Sequence, residues 1–164
     1  MDRMELYLKT AFCCMACDGD IAQEELSVIK SLPCFDGMDL QPKLLEFIDK
    51  LKSEGNVFLK KYLDEVANAS LTIDEEREMV GIAVQTIEAD QEIEYNEIAF
   101  FKKIRKRLKS SDEELLSVIS EKSVEVEQIT PEDYLLEDIS DENDLSLWTD
   151  TFTNINVRDI VSSK

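Results

Sequence analysis

Two short acidic motifs carry the side chains best suited to chemistry. Cys17-Asp18-Gly19-Asp20-Ile21 leads to Glu25-Leu26, and Ala89-Asp90-Gln91-Glu92-Ile93 leads to Glu97-Ile98, 72 residues later. Carboxylates gathered at one place are oxygen ligands for hard cations, so if Asp18, Asp20, Glu25, Asp90, Glu92 and Glu97 share one face they would favour Ca2+ or Mg2+. A third candidate is Cys14-Met15-Ala16-Cys17, whose C-x-x-C spacing suits a redox pair or half of a zinc site. The surrounding apolar residues recur at helical spacing, and that favours plain packing of these cysteines in a core.

Each acidic motif matches the back half of an EF-hand loop, with Asp at position 5, Ile at 8 and Glu at 12. Positions 1 and 3 are Cys14 and Ala16 in the first copy, Thr86 and Glu88 in the second, and Gln91 replaces the turn glycine. High-affinity calcium binding is therefore excluded, and any site is expected to be weak. The same pattern has a purely structural use. Asp18 and Asp90 end a helix, Ile21 and Ile93 plug the turn, and Glu25 and Glu97 face the positive end of the next helix.

Other chemistries find little support. Histidine is absent from the 164 residues, which removes Ser-His-Asp and Cys-His catalysis and His-ligated metals. No phosphate-binding glycine loop is present. Carboxylate or metal-dependent catalysis and thiol redox sensing stay open as alternatives to a non-enzymatic role. The net charge of −19 argues against nucleic acid and anionic membranes, and favours cations and basic proteins. The start Met1-Asp2-Arg3-Met4-Glu5 lacks a basic and apolar leader and no apolar run reaches membrane-spanning length, so a cytoplasmic location is expected.

The elements that must position these residues are helices. Four Gly and three Pro are too few for a turn-rich β architecture, and apolar residues recur every three or four positions through residues 1–121. Helices are expected over 3–17, 22–32, 42–53, 57–69, 73–89, 94–108 and 112–121. Thr72-Ile73-Asp74-Glu75 and Ser111-Asp112-Glu113-Glu114 supply start signals. The fold class is all-α, a compact bundle of about seven helices with an internal repeat. Ile29 corresponds to Phe101 across the repeat, and Leu32 to Ile104.

Residues 122–164 form an acidic C-terminal extension, with three basic against eleven acidic side chains. Val124-Glu125-Val126-Glu127 alternates as a strand would, Thr130-Pro131 opens a helical turn, and Trp148 heads a late apolar set that is expected to dock on the body. One segment is strongly basic: Lys102, Lys103, Arg105, Lys106, Arg107 and Lys109. Cations near a helix C-terminus favour its dipole, but the cluster also fits an acidic partner. The acidic extension of the same or another chain is the nearest candidate for the Lys102–Lys109 segment. The protein partner itself is unknown.

The pattern A-D-G-x-I-x-x-x-E-L, its degenerate second copy, and Leu71-Thr72-Ile73-Asp74-Glu75-Glu76-Arg77 resemble the tellurite-resistance TerB family. They are also similar to the N-terminal domain of a membrane-anchored DnaJ-type co-chaperone. The resemblance covers residues 1–121, with Cys17 standing where a small residue such as Ala is usual and Gln91 where Gly is. It implies a non-enzymatic all-α domain, an interaction or scaffold role in stress-response complexes, and weak divalent-cation binding through the acidic set above.

Overall fold

The computed structural model describes residues 3–17, 20–21, 23–88, 95–123, 130–136, 145, 148 and 156–157. Seven α-helices form the bundle: α1 (Arg3–Ala16), α2 (Gln23–Ser31), α3 (Gln41–Glu54), α4 (Asn56–Asn68), α5 (Ile73–Ile87), α6 (Tyr95–Arg105) and α7 (Asp112–Lys122). Short 3-10 turns lie at Pro33–Phe35 and Pro131–Leu135. No helix among the described residues is long and apolar enough to cross a membrane.

Helix α1 is the axis of the fold. Every residue from Leu6 to Ala16 is buried, including Lys9 and Thr10. A helix apolar on all sides must be surrounded, and α1 packs against α2, α3, α4, α5 and α6. Its two buried polar side chains find partners within α1 and on α4. The Thr10 hydroxyl bonds the Leu6 carbonyl and the Tyr62 hydroxyl. The Lys9 ammonium pairs with Glu65 at 2.9 Å and lies 5.8 and 5.2 Å from the ring centres of Phe47 and Phe58. Phe12 meets both rings, at 5.5 and 5.8 Å.

Helix α3 buries Leu44, Phe47, Ile48 and Leu51, one stripe at i, i+3, i+4 and i+7. Gly55 alone separates it from α4, in a left-handed backbone (φ +59°) that Gly adopts without steric cost. Helices α5 and α7 both open with a full capping box, Thr72 with Glu75 and Ser111 with Glu114. The residues paired across the two motifs all lie in the core: Ile29 and Phe101 are wholly buried, and Leu32 and Ile104 nearly so.

Helix α6 stops at Arg105, three residues before its expected end. Arg107 and Leu108 instead donate to the carbonyls three residues back, Ile104 and Arg105, a tightened last turn. The reason is the next connection. Glu76, buried on α5, takes the N–H groups of Lys109 and Ser110, and the chain must then present Ser111 as the cap of α7.

The described residues of the C-terminal extension dock on the body. Tyr134 stacks edge-on against Phe101 at 5.1 Å, and Trp148 against Phe100 at 5.7 Å. The Leu145 carbonyl accepts a 2.8 Å hydrogen bond from the Asn56 side chain. Asn156–Val157 pairs in parallel with Asp20–Ile21, which ties the extension to the first acidic motif through two residues on each side. The alternating segment 124–127 lies outside the described residues.

Candidate functional site

The basic segment is divided between fold and surface. Lys103 is buried with Phe101, Ile104 and Leu108, and the Arg107 guanidinium donates to the Lys103 carbonyl at 3.0 Å. Lys102, Arg105 and Lys106 line a cleft of ≈ 340 Å³ together with Asp112, Tyr134, Leu135 and Leu136. One wall is thus α6, the other the Pro131–Leu135 turn of the extension. At its rim Arg105 forms an ion pair with Asp112, the first residue of α7. Leu136 is 57% exposed, the most exposed large apolar side chain among the described residues.

The wall opposite α6 is anchored by buried hydrogen bonds. The Tyr134 hydroxyl donates to Glu88 at 2.6 Å, and the Ser123 hydroxyl donates to both Glu88 oxygens at 3.0 Å. Glu88 is 2% exposed, so these bonds stand in for its lost hydration. Burial pushes the Tyr134 phenol far up, and the hydrogen bond to Glu88 adds to the rise. Tyr134 is thus held as a protonated strut between the extension and Glu88. A second carboxylate, Glu76, fastens the far end of α6. Its oxygens accept from the Lys109 N–H at 3.0 Å, the Ser110 N–H at 2.9 Å and the Ser110 hydroxyl at 2.6 Å.

The acidic repeat is only partly in view. Asp18, Asp90 and Glu92, and the side chains of Asp20 and Glu25, lie outside the described residues. Glu97 is described and faces inward: it is 1% exposed, close enough to the Cys14 thiol and the Tyr134 phenol to raise both. Loop positions 1 and 3 also face the core in both copies, since Cys14, Ala16, Thr86 and Glu88 are all buried. Among the described residues no three Cys, Asp or Glu side chains converge on a metal position.

The thiols belong to the interior. Cys13, Cys14 and Cys17 are fully buried, and burial pushes Cys13 and Cys14 well up, opposite to the shift that activates a thiol. Cys34 is half-buried beside a second cavity of ≈ 290 Å³ between the end of α2 and α5. Burial, then Glu78, pushes its thiol up to about 11.

Sequence reasoning found the basic segment but not its opposite wall. It missed Glu76, Glu88 and Tyr134, because an acid in a helix reads as solvent-facing unless its buried partners are known. No family model, curated protein or solved structure matches the chain.

Proposed function

We propose that this chain is a non-catalytic, TerB-like interaction domain that docks a partner protein in the cleft between α6 and the Pro131–Leu135 turn. The observation that carries the reading is the cleft itself: three cations set over an exposed apolar side chain, in a chain of net charge −19. Helix termini attract cations for intrinsic reasons, but that need is met by Arg107, which bonds a carbonyl of the last turn. The wall facing Lys102, Arg105 and Lys106 is anchored by a strut of buried polar groups, Tyr134 to Glu88 to Ser123. The seven-helix body agrees with the fold the TerB resemblance implies, and stress-response complexes are the setting it suggests. Weak Ca2+ or Mg2+ binding at the acidic repeat is an accessory property in this reading.

The test is quantitative affinity capture of the full chain from its native host, against an unrelated acidic protein of similar charge. A partner held at near-stoichiometric level, and absent from the control, supports the reading. A chain recovered alone refutes it.

A further inference from the structure

We propose that the cleft recognises a short extended peptide with an acid-apolar-acid pattern: two carboxylates on the α6 wall and one large apolar side chain on Leu135 and Leu136. The inference rests on the interaction reading above and names the chemistry of its ligand. Size sets the first limit. A volume of ≈ 340 Å³ is at the small end of ligand sites, of roughly 300–1,000 Å³, so it takes a few residues and not a helix.

Spacing sets the second. Lys102 lies in the last turn of α6 and Lys106 just past its end, and the Lys106 N–H still bonds the Lys102 carbonyl at 3.2 Å, which keeps the pair one helical turn apart, about 5–6 Å at Cβ. In an extended peptide, alternate residues point the same way, about 6.6 Å apart at 3.3 Å per residue, while the residue between them points oppositely. Two acids flanking one apolar residue would therefore face the lysines and place the apolar side chain against the turn. Leu136 offers the surface for it, and covering that surface removes apolar area from water.

Charge chemistry favours carboxylates over phosphate. Phosphate is best held bidentately by an Arg fork, and the Arg105 fork is already engaged by Asp112. Lysines acting as point charges suit single carboxylates.

The test uses the full chain and fluorescence polarisation of labelled peptides with Gly/Ser flanks around Asp-Leu-Asp. Binding should weaken roughly ten-fold for Asp-Ala-Asp, which loses one apolar contact, and roughly ten-fold or more for Asn-Leu-Asn and for Lys102→Glu/Lys106→Glu, which lose the two charge contacts. Leu136→Ser should weaken Asp-Leu-Asp but not Asp-Ala-Asp, and Lys60→Glu/Lys61→Glu on exposed α4 should change nothing. Equal melting temperatures for all variants establish that folding is intact. Equal binding of Asp-Leu-Asp and Asp-Ala-Asp overturns the proposal, as does far tighter binding of a phosphoserine peptide. A dimer in sedimentation velocity that Lys102→Glu/Lys106→Glu dissolves also overturns it, because the occupant is then a second copy. If no peptide binds while the wild-type chain captures its host partner and the cleft-reversed chain does not, this inference falls and the interaction reading stands. If the chain captures nothing, that reading falls with it.

Discussion

Replacing Glu76 with glutamine tests how the cleft is held. The carboxylate is 2% exposed and serves three donors: the Lys109 N–H, the Ser110 N–H and the Ser110 hydroxyl. The amide of Glu76→Gln would keep one carbonyl oxygen within reach of all three donors, since the Lys109 N–H bonds both Glu76 oxygens, but would turn the other oxygen into an N–H2 group. Hydrogen bonds to a charged group contribute about 1.5–3 kcal/mol and neutral ones about 0.5–1.5, so each retained bond loses about 1 kcal/mol. The expected loss is about 3 kcal/mol, which for a chain of this size lowers Tm by about 6–12 °C. The loosened connection carries Asp112, the partner of Arg105 at the cleft rim, so peptide binding at the cleft should weaken too. Differential scanning calorimetry measures the first effect, with Glu78→Gln on the exposed face of α5 as the control, expected within about 0.5 kcal/mol of wild type. A Glu76→Gln melt that matches the control would refute the claim that this carboxylate fastens the turn.

Alkali should unfold the protein in a defined window. Burial raises Cys13, Cys14, Tyr62 and Tyr134 above their ordinary values of 9.0 and 10.0, so their contribution is intact below those values and is lost as pH climbs towards the raised folded ones. Each group steepens the fall by about 1.4 kcal/mol per pH unit, and chemical denaturation at a series of pH values from neutral into alkali should show stability flat at first and then dropping ever faster. Trp148→Ala should cost about 3 kcal/mol, because the ring is 1% exposed against Phe100. A chain cut after residue 121 should keep its far-UV helical signal yet melt lower still, having lost Tyr134 as well; an unchanged melting temperature in either case would mean that the extension is not anchored there. Millimolar Ca2+ should raise Tm through the acidic repeat by mass action, and the gain should shrink in Glu25→Gln/Glu97→Gln; an equal gain in both chains would leave only screening of the −19 charge.

The helices were legible because their signals are local. Thr72 with Glu75 and Ser111 with Glu114 announce two starts, and Gly55 announces the one-residue break between α3 and α4. The ends were less legible where a distant group decides them. Glu76 lies 33 residues from Lys109, and nothing near Arg105 in the sequence shows that a buried carboxylate will take the next two N–H groups. The same holds for the cleft. Lys102, Arg105 and Lys106 stand out as a basic run, but the wall opposite them comes from Tyr134, Leu135 and Leu136, beyond a change in composition. Glu97 shows the converse: its place in an acidic motif suggests a surface ligand, while one of its neighbours in space is the buried thiol of Cys14.

The central claim is that partners dock at the α6 cleft. Lysine-directed cross-linking and mass spectrometry of the complex captured from the host tests it most directly, because lysines are spread over several faces. Cross-links to the partner should concentrate at Lys102 and Lys106, beside the cleft. Cross-links confined to the exposed Lys43, Lys50, Lys60 and Lys61 of α3 and α4 would place the interface elsewhere and contradict it.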